Sequence, residues 1–135
     1  MKVLAILNPE NGSCTGVLSL LQKLSKEGKE IKEILLVLEN TYKAEKWVIS
    51  LSMPISKEEI EKIKENYARK IISNWNSLGG GENLPPLKVE VYDASEALKR
   101  TNLENVELVV LGCLESNSLC KLIETLDKPV LVVKN

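Results

Sequence analysis

The chain has 135 residues, a length that predicts one domain, residues 1–135, large enough to bury most of its apolar surface in a single core. Hydrophobic residues make up 44% and charged residues 27% of the sequence, with a formal net charge of −1. This balance argues against a disordered chain and against nucleic acid or an anionic membrane as a partner. Because the sequence contains no histidine, most hydrolase and zinc-enzyme chemistry is excluded, and we expect neither a catalytic residue nor a metal site.

We expect the chain to be cytoplasmic, without a membrane span. Residues 1–7 are apolar, but this segment is too short for a signal peptide and Asn8-Pro9 interrupts it. No run of about 18 apolar residues occurs. Three cysteines without a secretory segment argue against a disulfide framework.

The first half of the chain predicts two buried strands joined by a helix. Apolar runs at residues 1–7 and 31–38 predict the strands. Between them, apolar residues recur at the i, i+3, i+4, i+7 spacing of a helix, which Ser13 can cap and Gly28 ends. Residues 39–55 then form a long connection.

The second half predicts three more strands and three more helices. Ser56 and Glu59 form a capping box at the start of a long helix. Its predicted buried face is Ile60, Ile63, Tyr67, Ile71 and Leu78, and its predicted solvated face is Lys62, Lys64, Glu65, Arg69 and Lys70. After the glycines and prolines of residues 79–86, strands are predicted at 87–92, 106–111 and 129–133, with helices starting at Ser95 and at Asn117 or Ser118.

Alternation of strands and helices predicts a doubly wound, five-stranded parallel sheet with helices on both faces, a Rossmann-like α/β fold. The third strand alternates like an edge, whereas the first, second and fourth are apolar throughout, so we predict the order 3-2-1-4-5. This order leaves an apolar fifth strand at the other edge. Pairing with a second copy would cover it and predicts a homodimer through Val130, Leu131, Val132 and Val133; a helix or the C-terminal tail is the alternative cover.

In such a sheet a ligand binds where the strand order reverses, between the first and fourth strands. The polar residues and glycines of the two loops there are the ligand-binding candidates: Asn8, Asn11, Gly12, Gly112, Ser116, Asn117 and Ser118. A phosphate loop needs several glycines, but Gly112 is alone and Glu115 would repel a phosphate. We therefore favour a helix cap over a phosphate site for this loop.

The C-terminal segments resemble a known family. Residues 106–112 read Val-Glu-Leu-Val-Val-Leu-Gly and residues 128–133 read Lys-Pro-Val-Leu-Val-Val. Both are similar to the end of universal stress proteins, which carry a strand such as Asp-Leu-Ile-Val-Met-Gly and, later, Cys-Pro-Val-Leu-Val-Val. The resemblance covers most of the chain in the order of elements and implies the 3-2-1-4-5 sheet and dimerisation through the fifth strand.

The same resemblance bears on ATP. ATP-binding members resemble Gly-x2-Gly-x9-Gly-Ser/Thr after the fourth strand, with an aspartate ending the first strand. Here Gly112 matches the first glycine, but Glu115 takes the second position, and Thr125-Leu126 takes the place of the Gly-Ser pair. Asn8 replaces the aspartate, and the segment before the last strand is shorter than in the family. ATP binding is therefore doubtful, and we expect no cofactor.

Two further features are left open by the sequence. Cys14 and Cys113 follow the first and fourth strands, so a thiol pair or a soft-metal site near the switch point is conceivable, whereas Cys120 is expected to pack as a small apolar residue. We favour the absence of a redox or metal role. The connection at residues 39–55 is too apolar for a free loop. Its Trp47 and Met53 predict either a lid or partner surface or residues that seal the core.

The leading hypothesis is a dimeric, non-catalytic stress-related domain that binds a protein or small-molecule partner. One alternative is a nucleotide-binding universal stress protein with an altered loop and at most weak ATPase activity. Another is a regulatory or electron-transfer module on a flavodoxin-like sheet, which the scarcity of glycines supports poorly.

Overall fold

A computed structural model describes residues 1–134 of the chain, and these form one five-stranded sheet with helices on both of its faces. The strands are β1 (Lys2–Leu7), β2 (Glu30–Val37), β3 (Leu87–Glu90), β4 (Leu108–Gly112) and β5 (Val130–Val133). The helices are α1 (Thr15–Lys26), α2 (Glu39–Ser50), α3 (Lys57–Ser77), α4 (Ala94–Lys99) and α5 (Ser116–Thr125).

The sheet has the order β3-β2-β1-β4-β5 and every pair of neighbours is parallel. The predicted sheet is confirmed. β1 and β4 are almost entirely buried, because strands inside a parallel sheet are covered by helices on both faces. Leu7 at the end of β1 lies opposite Leu36 of β2 and Gly112 of β4, so these three strands end at the same level.

Each face of the sheet carries its own core. On one face α1 and α3 pack on the strands, with Ile71 and Trp75 as the buried residues of α3. On the other face α4 and α5 supply Leu98 and Leu122. The predicted buried face of the long helix was too wide, since Ile60, Ile63, Tyr67 and Leu78 are only half-buried.

The segment predicted as a connection is in fact helical. Residues 39–50 form α2, which makes five helices rather than four in residues 1–134. Its N-cap, Leu38, has no side chain that can bond the first-turn N–H groups. Glu10 takes that role from another loop, and a sequence scan for local caps cannot detect such a partner.

Two local expectations were also wrong. Cys14, not Ser13, is the N-cap residue of α1. Lys70, assigned to the solvated face of the long helix, donates through Nζ to the carbonyl oxygen of Pro9 at 2.8 Å. The capping box was correct, because the N–H of Glu59 donates to Ser56 Oγ at 3.2 Å.

Within residues 1–134, no helix combines the length and the apolar character needed to cross a membrane.

Candidate functional site

The carboxyl ends of β1, β2 and β4 meet where the strand order reverses. The polar residue that follows β1, Asn8, is buried, and Glu39, two residues after the end of β2, is only 5% exposed. Burying such groups is costly unless they are hydrogen-bonded. The contacts of these two side chains therefore define how the site is built.

The Glu39 carboxylate joins four elements. Its Oε2 accepts a hydrogen bond from the Ser118 hydroxyl at 2.6 Å and another from the N–H of Ala94, the first residue of α4, at 3.1 Å. Its Oε1 accepts from Nδ2 of Asn8 at 3.4 Å. The end of β1, the start of α2, the start of α4 and the start of α5 are thus held by one buried carboxylate.

Glu10 plays the corresponding role at the start of α2. Its Oε1 accepts from the N–H of Asn40 at 2.8 Å, and its Oε2 accepts from the N–H of Thr41 at 3.0 Å and from the Thr41 hydroxyl at 2.8 Å. These N–H groups have no partner inside their own helix. The Asn8 side chain in turn accepts from the backbone N–H of Glu10 at 2.9 Å, so one buried asparagine contacts both the Glu39 carboxylate and the backbone of Glu10.

The structure brings together part of the predicted candidate set. Asn8 contacts Glu39, Ser118 contacts Glu39, and Asn11 donates through Nδ2 to the carbonyl oxygen of Cys113 at 2.9 Å. Ser116 and Asn117 are exposed at the start of α5. The expected helix cap is absent there, because Glu115 is the N-cap residue and its side chain makes no capping hydrogen bond.

Gly112 is required for packing. A Cβ added at this position would lie 2.7 Å from Cβ and 2.9 Å from Cγ2 of Val17 in α1. Gly112 therefore lets the helix approach the end of β4. The other glycine of the predicted site, Gly12, has φ of +152° and open space where its Cβ would be.

A cleft of about 190 Å³ opens beside Glu39. It is lined by residues of both charge signs: Glu39, Lys43, Asp93, Ser95, Glu115, Asn117, Ser118 and Lys121 are among them. Lys43 and Lys121 could meet an anionic group on a ligand. Among residues 1–134, no group of three His, Cys, Asp or Glu side chains is placed to hold a metal ion.

Sequence reasoning missed both carboxylates. Glu39 follows a buried strand closely, which is the signal that singled out Asn8, but its segment was taken for an irregular connection. Glu10 carries no signal of its own, since its partners lie about thirty residues away in sequence.

The two cysteines of the switch point are bonded. Cys14 and Cys113 form a disulfide, with their Cα atoms 5.5 Å apart and 99 residues between them in sequence. The thiol pair that the sequence left open is thus bonded, whereas the expectations of no disulfide and of a packed Cys120 were wrong. The odd number of cysteines argued against a disulfide, but the third cysteine, Cys120, is simply free and exposed on α5.

A comparison with known proteins places the chain in a family. A universal stress protein from Aquifex aeolicus (strain VF5) is 31% identical over 136 aligned positions, which cover 99% of this chain and the whole of the relative. This chain belongs to the universal stress protein family. A scan against protein-family models found no match.

In this universal stress protein the second half of α2 and the turn that follows it face solvent. Trp47 is 66% and Met53 62% exposed, and Ile49 and Leu51 are also exposed. The alternative that this segment seals the core is therefore wrong for these residues. The first half of the helix is fixed instead, since the Tyr42 ring packs edge-on against Tyr92, with the ring centroids 5.8 Å apart.

The polar face of α2 stays charged. Lys46 Nζ lies 4.4 Å from the centre of the Tyr42 ring, and a hydrogen bond with Tyr42 raises the pKa of Lys46 above its ordinary value. The Tyr42 side chain thus stabilises the protonated form of Lys46.

The outer edge of β5 is also open to solvent in the described chain. Leu131 is 39% and Val132 40% exposed. Val109 donates its N–H to the carbonyl oxygen of Pro129 at 3.0 Å. Because backbone groups alternate along a strand, the N–H groups of Val130 and Val132 point away from β4, toward the free edge.

Proposed function

We propose that this protein is a non-catalytic, cytoplasmic universal stress protein that acts as a stress-related binding and regulatory domain, works as a homodimer and does not use ATP. Membership in the family supports the stress-related role. Two carboxylates of the site, Glu39 and Glu10, disfavour ATP because they occupy hydrogen-bond donors there.

The observation that carries the proposal is the position of Glu39. Helix N-termini bind phosphate through their free N–H groups and partial positive charge. Here the N–H at the start of α4 is already bonded to the Glu39 carboxylate, and the Ser118 hydroxyl donates to the same group. A buried negative charge occupies the place where a phosphate would need donors.

The remaining features of the site support the same conclusion. Glu10 occupies the N–H groups at the start of α2. Gly112 packs against Val17, so the glycine at this position is explained by the close approach of α1 and not by a phosphate. The cleft beside Glu39 measures about 190 Å³, below the roughly 300–1,000 Å³ of sites that enclose drug-sized ligands. A second cleft, at the ends of β4 and β5, measures about 310 Å³, at the lower limit of that range, but mostly apolar side chains such as Leu119 and Val133 line it.

The partner is a protein or a ligand smaller than a nucleotide. Exposed Trp47 and Met53 suit contact with another macromolecule, since aromatic residues and methionine are enriched in interfaces. The mixed-charge cleft suits a small polar molecule that carries no phosphate.

Isothermal titration calorimetry with ATP and Mg²⁺ tests the proposal. We expect no binding at ATP concentrations up to about 1 mM, a limit that corresponds to about −4 kcal/mol. A micromolar Kd contradicts the proposal and favours the alternative, a nucleotide-binding member with an altered loop.

Two variants locate the cause of weak binding. Glu39→Gln removes the buried charge and keeps the size of the side chain, whereas Glu115→Gln removes an exposed charge at the rim of the same cleft. If the Glu39 carboxylate excludes anions, only Glu39→Gln gains measurable ATP binding.

A further inference from the structure

The disulfide joins the two loops that form the switch point. Cys14 is the N-cap residue of α1, after the loop that leaves β1. Cys113 follows the last residue of β4 directly. The bond between them therefore connects one loop to the other across the ends of neighbouring strands.

Both cysteines have left-handed backbone conformations. Cys14 has φ of +59° and Cys113 φ of +57°, two of the four non-glycine residues with positive φ in residues 1–134. This region is unfavourable for residues with a Cβ, and such conformations persist where the surroundings impose them. The bond therefore links two positions of unfavourable backbone conformation.

The bond is sheltered but not sealed. Cys14 is 3% and Cys113 2% exposed. Both line a cleft of about 230 Å³, together with Asn11, Gly12 and Thr15. A small thiol entering this cleft would lie beside both cysteines.

The bases of the loops do not depend on the bond. The β1–β4 ladder continues to the pair Leu7 and Gly112. The loop after β1 is also held by α3, because Asn74 donates through Nδ2 to the carbonyl oxygen of Ser13 at 2.8 Å. For Cys113, the hydrogen bond from Asn11 to its carbonyl oxygen and its place in the core beside α1 would remain. Breaking the disulfide removes the covalent hold on the loop after β4, which, unlike the loop after β1, receives no hydrogen bond from α3.

We propose that Cys14 and Cys113 form a reversible redox latch that sets the mobility of the loop at residues 113–115. A low-molecular-weight disulfide closes the latch: its S–S bond breaks, the Cys14–Cys113 bond forms, and the two thiol protons and two electrons pass to two small thiols. Excess small thiol reverses these steps. The inference goes beyond the proposed function and does not depend on whether ATP binds.

Hydrogen exchange measured by mass spectrometry tests the latch, on full-length protein equilibrated with glutathione disulfide or with reduced glutathione and without nucleotide. Oxidation is read as a loss of two hydrogens from the intact mass. We expect exchange in a peptide spanning residues 112–118 to be about tenfold faster in the reduced protein, with a ratio near one in β1, β2 and α3.

Two variants complete the experiment. The double variant Cys14→Ser with Cys113→Ser should exchange hydrogen as fast as the reduced protein. Its exchange rates should be the same in glutathione disulfide and in reduced glutathione. The control Cys120→Ser removes the exposed cysteine and should respond like the wild type. If the double variant does not fold, the reduced wild-type protein supplies the same comparison.

Three results overturn the proposal. One is that glutathione disulfide fails to form the bond; another is equal exchange in the oxidised and reduced proteins. The third is faster exchange throughout the sheet on reduction, which would make the bond a structural staple. None of these outcomes affects the calorimetric test of ATP binding, so the two proposals fail independently.

Discussion

Glu39 is a single buried residue whose carboxylate contacts Asn8, α4 and α5. A buried charge is tolerated when its oxygens accept enough hydrogen bonds, and Glu39 has a hydroxyl, a backbone N–H and a side-chain amide as donors. No lysine or arginine neutralises it among the salt bridges of the described residues. The charge is thus held by dipoles at the switch point.

The close packing of Gly112 against Val17 predicts the effect of a substitution on stability. We expect Gly112→Ala to lower the free energy of unfolding by about 1–3 kcal/mol, because the new Cβ meets Cβ and Cγ2 of Val17 and the helix must shift. Urea unfolding of both proteins in the oxidised state measures the difference.

Gly16→Ala is the matched control for that substitution. Gly16 lies in α1, and an added Cβ would be 3.3 Å from the carbonyl oxygen of Lys134 near the chain end. Alanine is the better helix former by about 1 kcal/mol, so this variant should stay within about 1 kcal/mol of the wild type. Equal stability of the two variants would contradict the packing role of Gly112.

At the scale of an element, α2 has two halves with different surroundings. Its first turn is bonded to Glu10, and Tyr42 packs on Tyr92. Its second half carries Trp47 and Ile49 into solvent. Amphipathic helices usually owe their stability to a buried face, but α2 is held chiefly at one end.

The two tryptophans of the chain should therefore differ sharply in their effect on stability. Trp47 is exposed, whereas Trp75 is 1% exposed within the core between α3 and the sheet. Trp47→Ala should change the free energy of unfolding by less than about 0.5 kcal/mol, and Trp75→Ala should lower it by about 3–5 kcal/mol. Chemical denaturation measures both; similar losses would show that α2 is packed more closely than its exposure indicates.

At the scale of the whole molecule, the open edge of β5 bears on assembly. Unpaired N–H and C=O groups along an apolar edge favour pairing with another strand. The proposed homodimer places a second β5 there. Native mass spectrometry should show dimers for the wild type and monomers for Val132→Pro, because proline removes an N–H that points to the free edge and leaves the β4–β5 ladder intact.

Val132→Ala is the control for the proline variant, since it shortens the side chain but keeps the backbone N–H. It should remain dimeric. If Val132→Pro loses its circular dichroism signal, Val132→Lys replaces it as a charged edge residue. A monomeric wild type, or a proline variant that still dimerises, contradicts this mode of assembly.

The sheet was predictable from the sequence, whereas the site was predictable only in part. Apolar strands such as residues 1–7, with turn residues between elements, carry local signals that specify the parallel sheet and its order. The contacts from Glu39 to Ala94 and from Glu10 to Asn40 span 55 and 30 residues. Such pairings depend on the folded geometry, as does the Cys14–Cys113 bond, and no local pattern records them.

The disulfide also divides the chain topologically. Residues 14–113 form a covalently closed ring in the oxidised protein, while β1 and β5 lie on the two tails outside it. If the two chain ends were pulled apart, the tails would extend, but the residues inside the ring could not add to the length of the extended chain. The oxidised protein therefore has a much shorter extensible length than the reduced one, and the strands that bear the load first are the first and the last.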